Sequence, residues 1–258
     1  LKWLAAAGRD REESIAFMVK VKYEEMYPDE FLAAVEKMPV FIVPTGLLEW
    51  HGDHLPLGQD AMKAYGICLE IARKLGGGIV LPPNYFGRPG FSSFVGTLTY
   101  SEKLITMLFT ELFGQLKKVG AKVIVMITGH YGPCQVDLVK KIAEDFMAAN
   151  PDVKVIAQPE YEGVTVDGQT PADHAGKWET SMFWYFYPHL VRMEKFTMDQ
   201  PRIYQYPAPP ENYYKENPDW KWREDLREVS SPELGENAVD AITSHIVEMI
   251  GEALEVGL

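Results

Sequence analysis

The chain has 258 residues, 47% hydrophobic and 24% charged, a balance that excludes a disordered or fibrous chain. Its 25 Lys and Arg against 37 Asp and Glu give a net charge of −12, which argues against sequence-independent nucleic-acid binding and against docking on anionic membranes. Two cysteines imply no disulfide framework and suit a cytoplasmic protein, no apolar run reaches the roughly 18 residues of a membrane span, and the mildly apolar residues 1–7 lead into charge without a cleavage pattern.

Residues 10–36 read as mostly helical, with an N-terminal helical extension over 1–28. Pro28 and Asp29 break that run, and Asp29 is a candidate N-cap for the helix that follows through Glu36. A strand is predicted over 41–43 and a helix over 60–75, where Ile67, Ile71 and Leu75 recur at helical spacing. Three glycines, 76–78, end that helix, and a short strand over 79–81 stops at Pro82 and Pro83. Ser101 is expected to cap a helix through Val119. Residues 122–128 form a nearly all-apolar strand, typical of a central parallel strand covered on both faces. A helix over 135–149, a strand over 153–157 and a helix over 182–187 follow. Residues 199–227 are rich in Pro, Tyr and Trp and read as an ordered arm or lid without regular structure. An amphipathic helix over 232–254 closes the chain, which reads as one domain over 1–258. Alternating strands and helices predict an α/β fold with a mostly parallel sheet.

In such sheets ligands bind beyond the carboxyl ends of strands. Glu49, His51, His54 and Asp60 follow the first strand, and His130 follows the strand ending at Thr128. Glu49 and His51 are two apart, so on extended backbone they point the same way. Pro56 and Gly58 suit a turn that brings Asp60 back towards them, and Gly129 and Gly132 allow close packing around His130. A third cluster contains Asp173, His174 and Glu179. Taken singly, each has a bland reading: a lone His in a loop is usually a hydrogen-bonding residue, and Glu179 could be a helix-start carboxylate. Taken together, carboxylates and imidazoles after strands are the donor set of a borderline divalent metal such as zinc or manganese.

The stretch Pro44-Thr45-Gly46-Leu47-Leu48-Glu49-Trp50-His51-Gly52-Asp53-His54-Leu55-Pro56-Leu57-Gly58-Gln59-Asp60 resembles the signature of the creatininase family. Gly129-His130-Tyr131-Gly132 resembles that family's second motif, and His174-Ala175-Gly176-Lys177-Trp178-Glu179-Thr180-Ser181 its third. The motifs occur in family order over roughly residues 29–190. The resemblance implies a three-layer α/β/α fold and a dinuclear zinc or manganese amidohydrolase working through a metal-bound hydroxide. It implies that Glu49, His51, Asp60 and His130 are metal ligands, with Asp60 bridging. Creatininase carries a ligand Glu where this chain has Gly132; the substitute expected here is Glu179. His174 matches a proposed proton-transfer residue. His54 is expected to orient a ligating carboxylate, and Cys134 to be an ordinary buried thiol. Tyr131, Trp178, Trp220 and Trp222 could line an aromatic pocket, although Trp220 and Trp222 could equally pack between subunits. The substrate implied is a small amide, cyclic or formamide-like. The competing readings are cleavage of a carbon–carbon bond in a cyclic ketone and a non-catalytic metal-binding oligomer. A homo-oligomer, possibly a hexamer, is implied by resemblance.

Overall fold

The computed structural model describes residues 20–88, 90–199 and 221–257. Its sheet has four parallel strands, β1 (Val40–Thr45), β2 (Ile79–Val80), β3 (Val123–Thr128) and β4 (Lys154–Pro159), in the order β2-β1-β3-β4. Every residue of β1 and β3 is buried. Two-sided covering explains why both read as unbroken apolar runs rather than as alternating patterns.

Alternate side chains along the strands enter two separate cores. Val40, Ile42, Val123, Val125 and Ile127 pack with residues of α2 (Gln59–Leu75), α5 (Lys177–Phe186) and α7 (Pro232–Gly257). Phe41, Val43, Ile124 and Met126 pack on the other face against α3 (Glu102–Lys118) and α4 (Pro133–Ala149). The result is the expected three-layer α/β/α arrangement.

Register places the functional end. Thr45 pairs with Thr128 and Thr128 with Pro159, so β1, β3 and β4 finish level. The loops that follow them therefore emerge side by side.

Three local expectations are corrected. Pro28 opens helix α1 (Pro28–Lys37) instead of breaking a helical run, and Tyr27, not Asp29, occupies the N-cap. Proline at the first helical position loses no hydrogen bond, and the Tyr27 amide is satisfied by Glu30 Oε2 at 2.8 Å. Helix α5 starts at Lys177 rather than at 182, because the Asp173 carboxylate accepts from the amides of Trp178 and Glu179 at 2.9 and 3.1 Å. Those acceptors satisfy first-turn N–H groups that would otherwise be orphaned. Within the arm, Asp225 caps a four-residue helix, α6 (Leu226–Val229), where no regular structure was expected. Most of the expected N-terminal extension, and Trp220 with most of the arm, lie outside the described residues; residues 23–25 form one 3-10 turn. Ser101 caps α3 as expected, its Oγ accepting from the Leu104 amide at 3.2 Å.

Helix α7 lies directly on α5. A Cβ at Gly235 would overlap the backbone carbonyl of Ser181. Gly235→Ala should therefore destabilise the protein by about 1–3 kcal/mol through forced separation of the two helices. Urea unfolding measures this; an unchanged midpoint would contradict the close approach.

Candidate metal centre

Two glycines set the position of Asp60. Gly46 follows β1 and Gly129 follows β3; a Cβ on Gly46 would overlap the backbone of Ala61 and the Cβ of Asp60, and one on Gly129 the backbone carbonyl of Asp60. Their absent side chains let the first turn of α2 sit directly on two strand ends. Asp60 lies in that first turn, where the helix dipole favours an anion.

Around Asp60 the other predicted ligands converge. His51 Nε2 lies 2.9 Å from Asp60 Oδ1 and 3.4 Å from Glu179 Oε2. His130 Nδ1 lies 3.0 Å from Glu49 Oε2 and 3.3 Å from Asp60 Oδ2. The two carboxylate oxygens of Asp60 thus belong to two different triads, Glu49–Asp60–His130 and His51–Asp60–Glu179. A third grouping, Glu49–His51–His174, is also compact.

Backbone groups hold three of these side chains. His51 Nδ1 is 3.0 Å from the Glu49 carbonyl, which fixes it as the N–H tautomer and leaves Nε2 as the free donor atom. The Phe91 amide donates to Glu49 Oε1 at 2.6 Å and leaves Oε2 facing the cluster. Glycine at position 90 is required, since a Cβ there would overlap Glu49 Oε1. The Ala175 amide donates to Glu179 Oε2 at 2.7 Å, and Ala175 adopts φ of 50° to do so. A left-handed alanine costs backbone energy and is held only where the surroundings demand it.

The donor set fits divalent cations. Glu49 Oε2, His51 Nε2 and both oxygens of Asp60 are buried, and their close contacts are with other members of the cluster. Burial disfavours every charge here, yet the groups remain ionised by one another. Burial pulls His51 and His130 down, but Asp60 and Glu179 raise His51, and Glu49 and Asp60 raise His130, above the ordinary imidazole range. Against burial, Lys63 and His51 hold Glu179 down to about 2. Three buried carboxylates require positive charge, which divalent cations held by these atoms would supply.

His174 stacks on Phe91 with ring centroids 3.9 Å apart and keeps Nδ1 3.9 Å from Glu49 Oε2. Burial first, then His51, lowers it to about 4, so it is neutral at pH 7. Tyr131 lines the inner cavity, but its hydroxyl donates to Glu160 at 2.6 Å rather than pointing at the cluster. Trp178 lines an outer cavity that also borders His174. His54 is corrected: its Nε2 lies 3.0 Å from the Thr180 hydroxyl and touches no ligand carboxylate. Its ring packs on Trp222 and Phe196 within the same chain. Cys134 is half-buried, its thiol pushed up by burial, and it belongs to no metal-type grouping of the described residues.

Two residues absent from the sequence reading prove central. Lys63, fully buried, lies 2.7 Å from Glu160 and 2.9 Å from Glu179. Their signals were available: Lys63 is one helical turn after Asp60, and Glu160 directly follows a strand end like the other site residues.

A family model described as creatinine amidohydrolase (Creatininase) matches residues 24–250. A creatinine amidohydrolase of Pseudomonas putida is 26% identical over 184 residues, 63% of this chain and 69% of its own length. A mycofactocin precursor peptide peptidase of Mycobacterium ulcerans is 26% identical over 169 residues, 62% of this chain. The match spans 63% of that peptidase, under two thirds of its length. Among solved structures, a manganese creatininase superposes with a TM-score of 0.73 at 22% identity, covering 90% of this chain and 98% of its own. A zinc–zinc form of a creatininase variant has a TM-score of 0.71 at 22% identity, covering 90% of this chain and 97% of its own.

Chelator-treated protein dialysed against Zn or Mn should take up two ions per chain. Glu49→Gln should lose one and Asp60→Asn both, read by elemental analysis. Two ions retained by Asp60→Asn would rule out a shared carboxylate.

Proposed function

This chain belongs to the creatininase family of metal-dependent hydrolases, and from that premise we propose that it cleaves a C–N amide bond in a small cyclic or formamide-like substrate. In this reading two divalent ions, Zn or Mn, are held by Glu49, His51, Asp60, His130 and Glu179. The observation that carries it is the division of the two Asp60 oxygens between two buried triads. Metals bound there would polarise a carbonyl and lower the pKa of a coordinated water towards neutrality.

The chain's own groups do the rest. His174, neutral and beside Glu49, accepts a proton from the attacking water and passes it to the departing nitrogen. Phe91 orients both partners, holding Glu49 through its amide and His174 through its ring. The inner cavity of about 280 Å³ is lined by Phe91, Tyr131 and Tyr161, with Gly90 and Gly132 leaving room beside the cluster. A flat, compact amide suits that space. The smallness of Gly132 widens the wall where a carboxylate would otherwise stand.

A second reading, an amide carried on a longer chain, is favoured by one feature. An outer cavity of about 610 Å³ shares Phe91, Ala172, Asp173 and His174 with the inner one and continues past Trp178 and Trp222. The likeness to a peptide peptidase supports this reading too. A homo-oligomer belongs to the proposal as well, supported by exposed Leu57, Phe86, Val95, Leu98, Leu104 and Met107.

His174→Ala should lower kcat by about 10²–10⁴-fold while both metals stay bound. Assay on a panel of cyclic amides, formamides and short peptides, with elemental analysis alongside, measures this; unchanged kcat removes His174 from proton transfer. Trp222→Ala should raise KM for extended amides and leave small cyclic ones unaffected. Equal effects on both classes would dismiss the second reading.

A further inference from the structure

Lys63 is a buried ammonium one helical turn beyond the shared carboxylate. Its Nζ lies 2.9 Å from Glu179 Oε1, whereas Glu179 Oε2 faces His51. The two oxygens of Glu179 therefore have separate tasks. Oε1 is taken by Lys63; Oε2 accepts the Ala175 amide and keeps a lone pair towards His51 and Asp60.

Lys63 is itself fixed from the far side. Glu160 Oε1 is 2.7 Å from Nζ, and the Tyr131 hydroxyl bonds both Lys63 and Glu160. The ammonium also lies 4.3 Å from the centre of the Tyr131 ring. Glu160 stands at the end of β4 and is fully buried. It has no place in either Asp60 triad. A buried ammonium needs compensating charge; Glu160 provides it without contacting the ligand cluster, so Glu179 is left free to donate its second oxygen.

We propose that Lys63, braced by Glu160 and Tyr131, is a positioning residue that holds Glu179 as a single-oxygen metal ligand. It rests on the reading of the cluster as a two-metal site. Its consequence is selective: losing Lys63 should weaken the His51–Asp60–Glu179 position and spare Glu49–Asp60–His130. A merely structural role would loosen both together.

The test is cobalt titration of the chelator-treated full chain, followed by calorimetry and visible absorption. Lys63→Met alone would strand Glu160 as an unpaired buried carboxylate, so the main variant is Lys63→Met with Glu160→Gln. It is expected to weaken one site about 10–100-fold and the other less than about threefold, as loss of a ligand's supporting partner does. The spectrum of its one-cobalt form should match that of Glu179→Gln and differ from that of Glu49→Gln. In a Glu179→Gln background the same pair of changes should add little further loss. Should the pair lose its fold in a thermal melt, Lys63→Arg keeps the charge but spreads its donors over a planar fork, and should weaken the same site alone. If the wild-type chain takes up no cobalt, the two-metal reading falls and this inference with it. If the wild type binds two ions and the folded Lys63 variants keep both affinities, or lose both equally, this inference alone is overturned.

Discussion

One carboxylate shared between two buried triads of carboxylate and imidazole is the constraint on which the rest of the structure depends. Asp60 can face both triads only if Glu49 and His130 approach from one side while His51 and Glu179 approach from the other. Asp60 and those residues come from the loops after β1 and β3 and from the first turns of α2 and α5. Level strand ends at Thr45, Thr128 and Pro159 bring the loops together, and two glycines remove the side chains that would hold α2 away. The parallel sheet and its helical layers thus act as the frame for one acidic side chain.

The cluster also sets an electrostatic problem for the protein. Several ionisable groups lie together out of water, and burial opposes charge on each of them. The chain meets this with backbone amides from Phe91 and Ala175, with the fixed tautomer of His51, and with a buried lysine. The Phe91 amide and Lys63 each occupy one carboxylate oxygen, and the Glu49 carbonyl one nitrogen of His51, leaving the other atom towards the cluster; the Ala175 amide instead shares Glu179 Oε2 with the cluster. Bound cations would complete the balance, since the donor atoms left over point at one another without partners.

Substrate selection is built from different material. The inner cavity wall is aromatic and glycine-rich, and the outer cavity is bounded by two tryptophans and by Lys177, Lys221 and Arg223. His174 borders both, so the proton-transfer candidate stands where a small ring and a longer chain would place the same bond.

Much was legible in the chain itself. Apolar runs and their spacing specify the parallel sheet, and three motifs mark Glu49, His51, Asp60, His130, His174 and Glu179, because strand-end position and donor chemistry are local properties. Glu179 lies in the first turn of α5 as its position suggests, but the helix begins before the apolar run because Asp173 accepts first-turn amides from across a turn. The partner of His54 is not legible in the sequence because Thr180 is 126 positions away. Lys63 and Glu160 are not legible for the same reason: an isolated lysine in a helix and an isolated glutamate after a strand look like solvent-facing charges. By itself, then, the sequence determined the layers and the ligand chemistry, since both follow from periodicity and residue type. Only the tertiary structure decided which oxygen of each carboxylate is free and which charge is buried, because those depend on distances between segments that only packing brings within 3 Å.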